Sequence, residues 1–314
     1  MDIQILLALQ NLWEAIGGCL NAFFAFITMI AVDYYIMLPG MILFWCVSKR
    51  AGLFSLGSYG FGCFSVAGLK SPFCVYRPWV RSSLIKPLPE VMSGATGYSF
   101  PSGHSVSTSS AYGGLIAAYR KHKGLCVMFA LMVLLTMFSR LYVGVHTPQD
   151  VLVGLVVGAL GAGMVVLSER FLQKHPDRDW VLLLIVCVMC AILLPYIYFK
   201  DYPMDYVDGK LLVDPIKMTV GGFKDPGRFF GVALGWFVER RWIKFDKSGT
   251  AVQKVMRAFA GGLLYIFYWT VVMEPLGKAI GIGIVHFFLQ ASAPFLFMTV
   301  YPLIFKRIEN AKKH

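Results

Sequence analysis

Charge is scarce in this sequence. Asp, Glu, Lys and Arg together make up 15% of its 314 residues, where a soluble domain carries roughly a quarter. With 57% hydrophobic residues and a mean hydropathy of +0.65, that scarcity excludes an ordinary soluble globule and points to a polytopic membrane protein. Carboxylates are scarcer still, 17 Asp and Glu against 29 Lys and Arg, and they do not cluster as a divalent-metal cage would require. No metal and no cofactor is expected. The +12 net charge reads first as a topology signal in short loops and calls for no nucleic acid. Cysteines number seven, an odd count, and most lie in apolar runs, which excludes a disulfide framework. Cys187 and Cys190 form a C-x-x-C inside VLLLIVCVMCAILLPYIYF with no His or acidic ligand beside it, and are expected to be buried membrane-helix thiols. A basic n-region is missing too: Asp2 and Glu14 stand where it would be. Residues 1–19 are therefore expected to form an interfacial amphipathic helix and not a cleavable signal peptide.

What the chain has in abundance is long apolar runs. A span needs about 20 apolar residues. On that ruler spans fall near 22–47, 51–69, 104–119, 124–143, 148–167, 179–199, 227–242, 252–273 and 279–305, with 104–119 and 227–242 the shortest. Gly154/Gly158 and Gly231/Gly235 are spaced for close helix packing. The loops holding Lys49 and Arg50, Arg120 to Lys123, Arg170 to Arg178, Arg240 to Arg257 and Lys306 to Lys313 carry 18 of the 29 basic residues. That asymmetry puts the C-terminus in the cytoplasm and segments 70–103, 139–150 and 200–226 outside, with the N-terminus outside as well if the spans are odd in number.

Three separated stretches bring polar chemistry to that one face. KSPFCVYRP supplies Lys70 and Arg77, with Pro72 opposing easy continuation of the helix. SFPSGHS supplies Ser102, Gly103 and His104 at an expected helix start, with Ser102 as cap, Gly103 allowing close backbone approach, and free N–H groups that suit an anion. SRLYVGVHTPQD supplies Arg140 in a last helical turn, Thr147 and Pro148 as cap and first residue of the next helix, and His146 four residues before Asp150. A carboxylate there can accept the imidazole Nδ1–H and leave Nε2 as an attacking lone pair. Three permanent cations, a helix N-terminus and two histidines are the parts that phosphoryl transfer needs. The chemistry expected is metal-free transfer through a phosphohistidine.

K-x6-R-P at 70–78, P-S-G-H at 101–104 and S-R-x5-H-x3-D at 139–150 match at eleven specified positions, and in this the sequence resembles the type 2 phosphatidic acid phosphatase family. That family includes undecaprenyl diphosphate phosphatase-like and sphingosine-phosphate phosphatase-like enzymes. The resemblance implies an all-α, six-helix phosphatase core over residues 20–200. In it His146 is the nucleophile, Asp150 orients it and His104 protonates the leaving oxygen, while Lys70, Arg77, Ser102, Gly103 and Arg140 hold the phosphate. Residues 201–314 lie outside that core as about three additional membrane helices, and the motifs imply no role for them.

The function expected is therefore an integral-membrane lipid phosphatase with an extracytoplasmic site, acting on a lipid phosphate or diphosphate. Undecaprenyl diphosphate is the leading substrate if the source is bacterial, the membrane then being the plasma membrane. Two alternatives stay open: a phosphotransferase that delivers the phosphohistidine to a lipid or sugar hydroxyl, and a lipid or anion transporter with a basic pocket. The extra helices hint at a lateral lipid groove or a homodimer surface. Arg81, Lys86, Lys200 and Lys278 read as interfacial anchors. Asp33 and His286 read as interhelical hydrogen bonders, and Glu239 to Arg241 as a cytoplasmic charge cluster. The aromatic stretch 196–209 reads as an interfacial belt before it reads as a lid over the site.

Overall fold

The computed structural model describes residues 2–31, 33–207, 209–281 and 283–311. The chain is an all-α, multi-pass integral membrane protein. Its helices are α1 (Asp2–Ala15), α2 (Asn21–Ile30), α3 (Asp33–Ile42), α4 (Lys49–Phe73), α5 (Pro78–Arg81), α6 (Gly103–Ala118) and α7 (Lys123–Tyr142). They continue as α8 (Pro148–Lys174), α9 (Asp179–Phe199), α10 (Pro215–Val238), α11 (Ala251–Phe267), α12 (Glu274–Ala279), α13 (Val285–Met298) and α14 (Val300–Ala311). A two-stranded hairpin pairs β1 (Tyr206–Val207) with β2 (Lys210–Leu211) ahead of α10. The side chain of Asp33 and the residues Lys312 and Lys313 lie outside the described residues.

Local sequence explains where the main helices begin. Ser48 and Ser102 cap α4 and α6 through their hydroxyls, Asp214 caps α10 ahead of Pro215, and Thr147 and Thr250 open α8 and α11 with reciprocal capping boxes. Among the described residues, six helices or helix runs are individually long and apolar enough to cross a membrane, seven if the bent pair near the N-terminus is one span. Nine spans follow from the apolar runs, and the difference has physical causes. The run 22–47 is not one rod: α2 and the segment Tyr35–Val47 meet at a bend of 56°. The 16-residue α6 is too short and too rich in Ser and Thr. It can be both because it is wrapped by α4, α7 and α8, and a helix shielded from lipid need not be apolar. α10 begins twelve residues before the expected 227 and carries Lys217, Lys224, Asp225 and Arg228 in its N-terminal part.

Close approach at small residues sets the centre. A Cβ on Gly154 of α8 would stand 2.7 Å from Ser105 Cβ of α6, and Ser109 Oγ donates to the Gly154 carbonyl at 2.7 Å. Residues 201–314 pack onto the same bundle. A Cβ on Gly231 of α10 would meet Pro294 Cγ of α13 at 2.7 Å, and one on Gly60 of α4 would meet Phe229 Cδ2 of α10 at 2.9 Å. One hydrophobic core accordingly joins Met41, Trp45, Leu56 and Tyr59 to Val232, Tyr265, Phe297 and Tyr301.

The two ends of the bundle differ in kind. At one end Lys49 pairs with the buried Glu239, Arg50 with Glu169, and Arg241 with Asp179, so the Glu239–Arg241 cluster ties α4, α9 and the end of α10 together. The opposite end gathers the C-termini of α4 and α7 and the N-termini of α6 and α8, the ends that carry the three motifs. Arg81 pairs there with Asp2 of α1 at 3.0 Å. The stretch 196–209 does not behave as a simple belt. Tyr198 and Tyr206 are exposed, but Tyr202 is buried, donating to Ser71 Oγ at 3.0 Å and stacking on Tyr98, because the C-terminal end of α4 offers it a polar partner. His286 differs from expectation as well: its Nε2 bonds the Gly281 carbonyl at 3.0 Å, five residues upstream in its own loop, while its buried Nδ1 has no hydrogen-bond partner among the described residues.

Candidate active site

His146 stands between α7 and α8 and is 1% exposed. Proton counting fixes its tautomer. Ser99 Oγ donates its one hydrogen to Asp150 Oδ2 at 2.6 Å, so toward His146 Nδ1, 3.3 Å away, it can only accept. Nδ1 therefore carries the hydrogen and Nε2 keeps a lone pair. Asp150 Oδ2 lies 3.4 Å from Nδ1 and also accepts from the Thr147 backbone at 2.8 Å as part of the α8 capping box. The carboxylate thus reaches the imidazole less directly than the four-residue spacing predicts, with the Ser99 hydroxyl beside both. Burial first, then the charges of Arg77, Arg140 and Lys70, hold His146 well below the ordinary histidine range. The ring is kept neutral, which is the form that can attack.

The cations are fixed by carbonyls. Arg77 donates from Nε to Gly97 O at 2.8 Å and from Nη1 to Val145 O at 3.0 Å, and Nη1 also sits 2.8 Å from His146 Nε2. The Nε2 lone pair thus faces a guanidinium. Lys70 Nζ donates to Tyr98 O at 2.7 Å from the last turns of α4. Arg140 is buried in the last turn of α7, and its Nε has no hydrogen-bond partner among the described residues. A buried donor of this kind is costly unless an anion uses it.

Lys70, Arg77, Gly103, His104 and His146 line one cavity of about 180 Å³. Ser102 is fully buried beneath it, capping α6 by accepting from the Ser105 backbone at 3.4 Å and from Ser105 Oγ at 3.0 Å. All eight candidate residues thus fall at one end of the bundle. A Cβ added at Gly103 would meet nothing within 4 Å although the residue lines the cavity, so no protein atom demands a glycine there. The constraint falls on whatever fills the cavity. Gly103→Ala is expected to leave the melting temperature unchanged and to lower kcat/KM by up to about 10²-fold, the scale of a small displacement of a reacting group. Thermal unfolding beside steady-state kinetics checks it, and an equal loss of stability would refute it.

Ser99 was not visible as a site residue in the sequence. It lies three residues before the P-S-G-H cap with no local pattern of its own, and only the fold sets it against His146 and Asp150. Asp225 and Arg228 of α10 also line the cavity. A signal existed for them, since charge within a membrane helix marks function by default.

Residues 51–174 match the PAP2 superfamily model, and residues 223–313 match a second model described as PAP2 superfamily phosphatase, transmembrane extension. The chain belongs to the PAP2 superfamily. The first match contains all three motifs and the second covers most of α10 and everything after it, so this PAP2 protein carries its cavity wall on both segments. It is similar to the undecaprenyl-diphosphatase of Sulfolobus acidocaldarius, at 33% identity over 88 residues. That stretch is 28% of this chain and 37% of the relative, so the chain spans little more than a third of the length of the curated relative it matches. No solved structure matches it.

Proposed function

We propose that this PAP2 protein is a metal-independent membrane lipid phosphatase that works through a phosphohistidine. The reading is carried by one observation: a neutral His146, whose Nε2 holds the lone pair, faces the same cavity as His104, Lys70 and Arg77. Nε2 attacks phosphorus while the bond to the leaving oxygen breaks and that oxygen takes a proton from His104. His104, now a base, removes a proton from water, which attacks phosphorus and breaks the P–N bond. Arg77, Arg140, Lys70 and the N–H groups at the start of α6 neutralise the equatorial oxygens, with Ser102 holding that helix start in shape. Residues 20–200 form the phosphatase core and 201–314 an added membrane unit, with the site extracytoplasmic and the C-terminus cytoplasmic, in keeping with the loop charges.

The substrate class is a lipid phosphate or diphosphate, with undecaprenyl diphosphate the leading candidate on the name of the similar protein. Phosphate release in detergent with EDTA present, over a panel of lipid phosphates and diphosphates, tests the reading and ranks the substrates. Labelled phosphate appearing in water, and not on a second lipid or sugar, separates hydrolysis from transfer. Arg140→Gln is expected to cost roughly 10²–10³ in rate, as for a lost oxyanion donor. An Arg140→Gln protein that is folded and fully active would remove the phosphate clamp from the mechanism.

A further inference from the structure

Arg228 and Asp225 are cavity-lining charges that the three motifs leave unexplained. They lie thirteen and ten residues after Pro215 on α10, within the transmembrane extension. Arg228 is 6% exposed. Its Nε donates to Gln290 Oε1 of α13 at 3.1 Å, its Nη1 to Asp225 Oδ1 at 3.0 Å, and its guanidinium carbon stands 5.8 Å from the Trp269 ring centroid. Three parts of the extension thus hold one guanidinium in place. Packing does not require it, because well-packed apolar residues serve as well as a buried ion pair in most cores. What sets this pair apart is that it opens onto the cavity of the two histidines.

Helix directions show on which side it opens. α4 runs toward the site and α10 away from it. The cavity wall on α4 extends from Lys70 back to Cys63, about 10 Å further into the bilayer at 1.5 Å per residue. On α6 it extends inward from His104 to Ser107, and on α10 from Asp225 inward to Arg228. The cavity therefore continues past the histidines toward the membrane interior. A lipid diphosphate keeps its tail in the bilayer, so its lipid-linked phosphate lies deeper than its terminal one. The exposures of the ion pair suit an exchange of partners: the Asp225 side chain is 21% exposed against 8% for Arg228, so the carboxylate is the member that can turn to water.

We propose that Arg228 binds the lipid-linked phosphate of a diphosphate substrate in exchange for Asp225, while the motif residues act on the terminal phosphate. This rests on the phosphatase reading for the position of the terminal group. The bond broken is then the one between the terminal phosphorus and the bridging oxygen. That oxygen leaves with the lipid-linked phosphate and takes its proton from His104, and Arg228 holds the departing anion. Asp225 keeps the guanidinium paired when no substrate is bound, and the extension makes the site selective for diphosphates.

Binding of two inert probes to the purified full-length chain tests this: farnesyl methylenebisphosphonate and farnesyl phosphonate. The wild-type protein is expected to prefer the bisphosphonate. Arg228→Gln should reduce that preference about tenfold or more, the size of a lost charge-assisted hydrogen bond. Arg228→Lys should recover part of it, and Asp225→Asn should keep or increase it. Equal weakening toward both probes, or no change in the ratio, overturns the proposal. If Arg228→Gln does not fold, an unchanged ratio in both Arg228→Lys and Asp225→Asn overturns it equally. Phosphate release is scored separately, so failure of the phosphatase reading shows as intact probe selectivity without release, and failure of the subsite as release without selectivity.

Discussion

His146→Ala is expected to abolish phosphate release, by roughly 10⁶ on the scale of a lost enzymatic nucleophile, while leaving the protein folded. The structure explains why these two effects separate. Arg77, the partner of Nε2, keeps its bonds to the Gly97 and Val145 carbonyls when the ring is removed. Ser99 and Thr147 still donate to Asp150, so the start of α8 keeps its cap. Circular dichroism and size exclusion beside phosphate release with EDTA present check the outcome, and wild-type-like release would sink the mechanism. A pH signature accompanies it. Because burial and neighbouring cations depress His146, it stays neutral well below the usual pKa of about 6.5. The acid limb of kcat/KM, where the nucleophile would protonate, is expected below pH 6.5. Loss at high pH then reports the acid, His104, which burial and the Arg140 charge also hold below the ordinary histidine range, so the bell lies on the acid side.

Asp150→Asn is the second large effect, with an expected loss of up to about 10⁴ in rate, by analogy with other carboxylates that hold a catalytic imidazole in one tautomer. Ionised Asp150 only accepts, so Ser99 must donate to it and accept from His146 Nδ1–H. An amide brings two hydrogens of its own and can donate to Ser99, which then turns its hydroxyl toward Nδ1 and places the hydrogen on Nε2. That tautomer has no lone pair facing the cavity. Ser99→Ala removes the intermediary and should cost less, because Asp150 remains 3.4 Å from Nδ1. Asp150 also caps α8, and loss of a cap costs about 1 kcal/mol. A variant that lost only melting temperature, at unchanged kcat/KM, would show the carboxylate to be a cap and nothing more.

How far the fold could be read varied by element, and for reasons visible in particular residues. α7 and α9 lie within a residue of their expected bounds because both hold long apolar runs flanked by polar turns. α6 and α10 resisted the same ruler, since hydropathy measures what faces lipid and α6 is enclosed by its neighbours. The break between α2 and α3 falls at Asp33, a residue that reads in the sequence as an interhelical hydrogen bonder within one span and not as the start of a new helix. Among site residues, Ser102, Thr147 and Asp150 were legible because caps are local: three or four residues of sequence specify them. Ser99 was not, because its partners lie 47 and 51 residues along the chain, and Asp225 and Arg228 showed only as charges in a helix until the fold set them on the cavity.

The sequence by itself determined the class of the protein, the positions of most helices, and the three motifs whose cations and histidines converge at one end of the bundle. Those depend on apolar run length, capping and short spacing, all of them interactions within a few residues. Only the tertiary structure decided that Ser99 stands beside both His146 and Asp150, and that α10 of the extension forms part of the cavity wall. Both depend on distances between residues dozens to more than a hundred positions apart. Such distances are set by the packing of small residues such as Gly60, Gly154 and Gly231 against other helices, which no local pattern encodes.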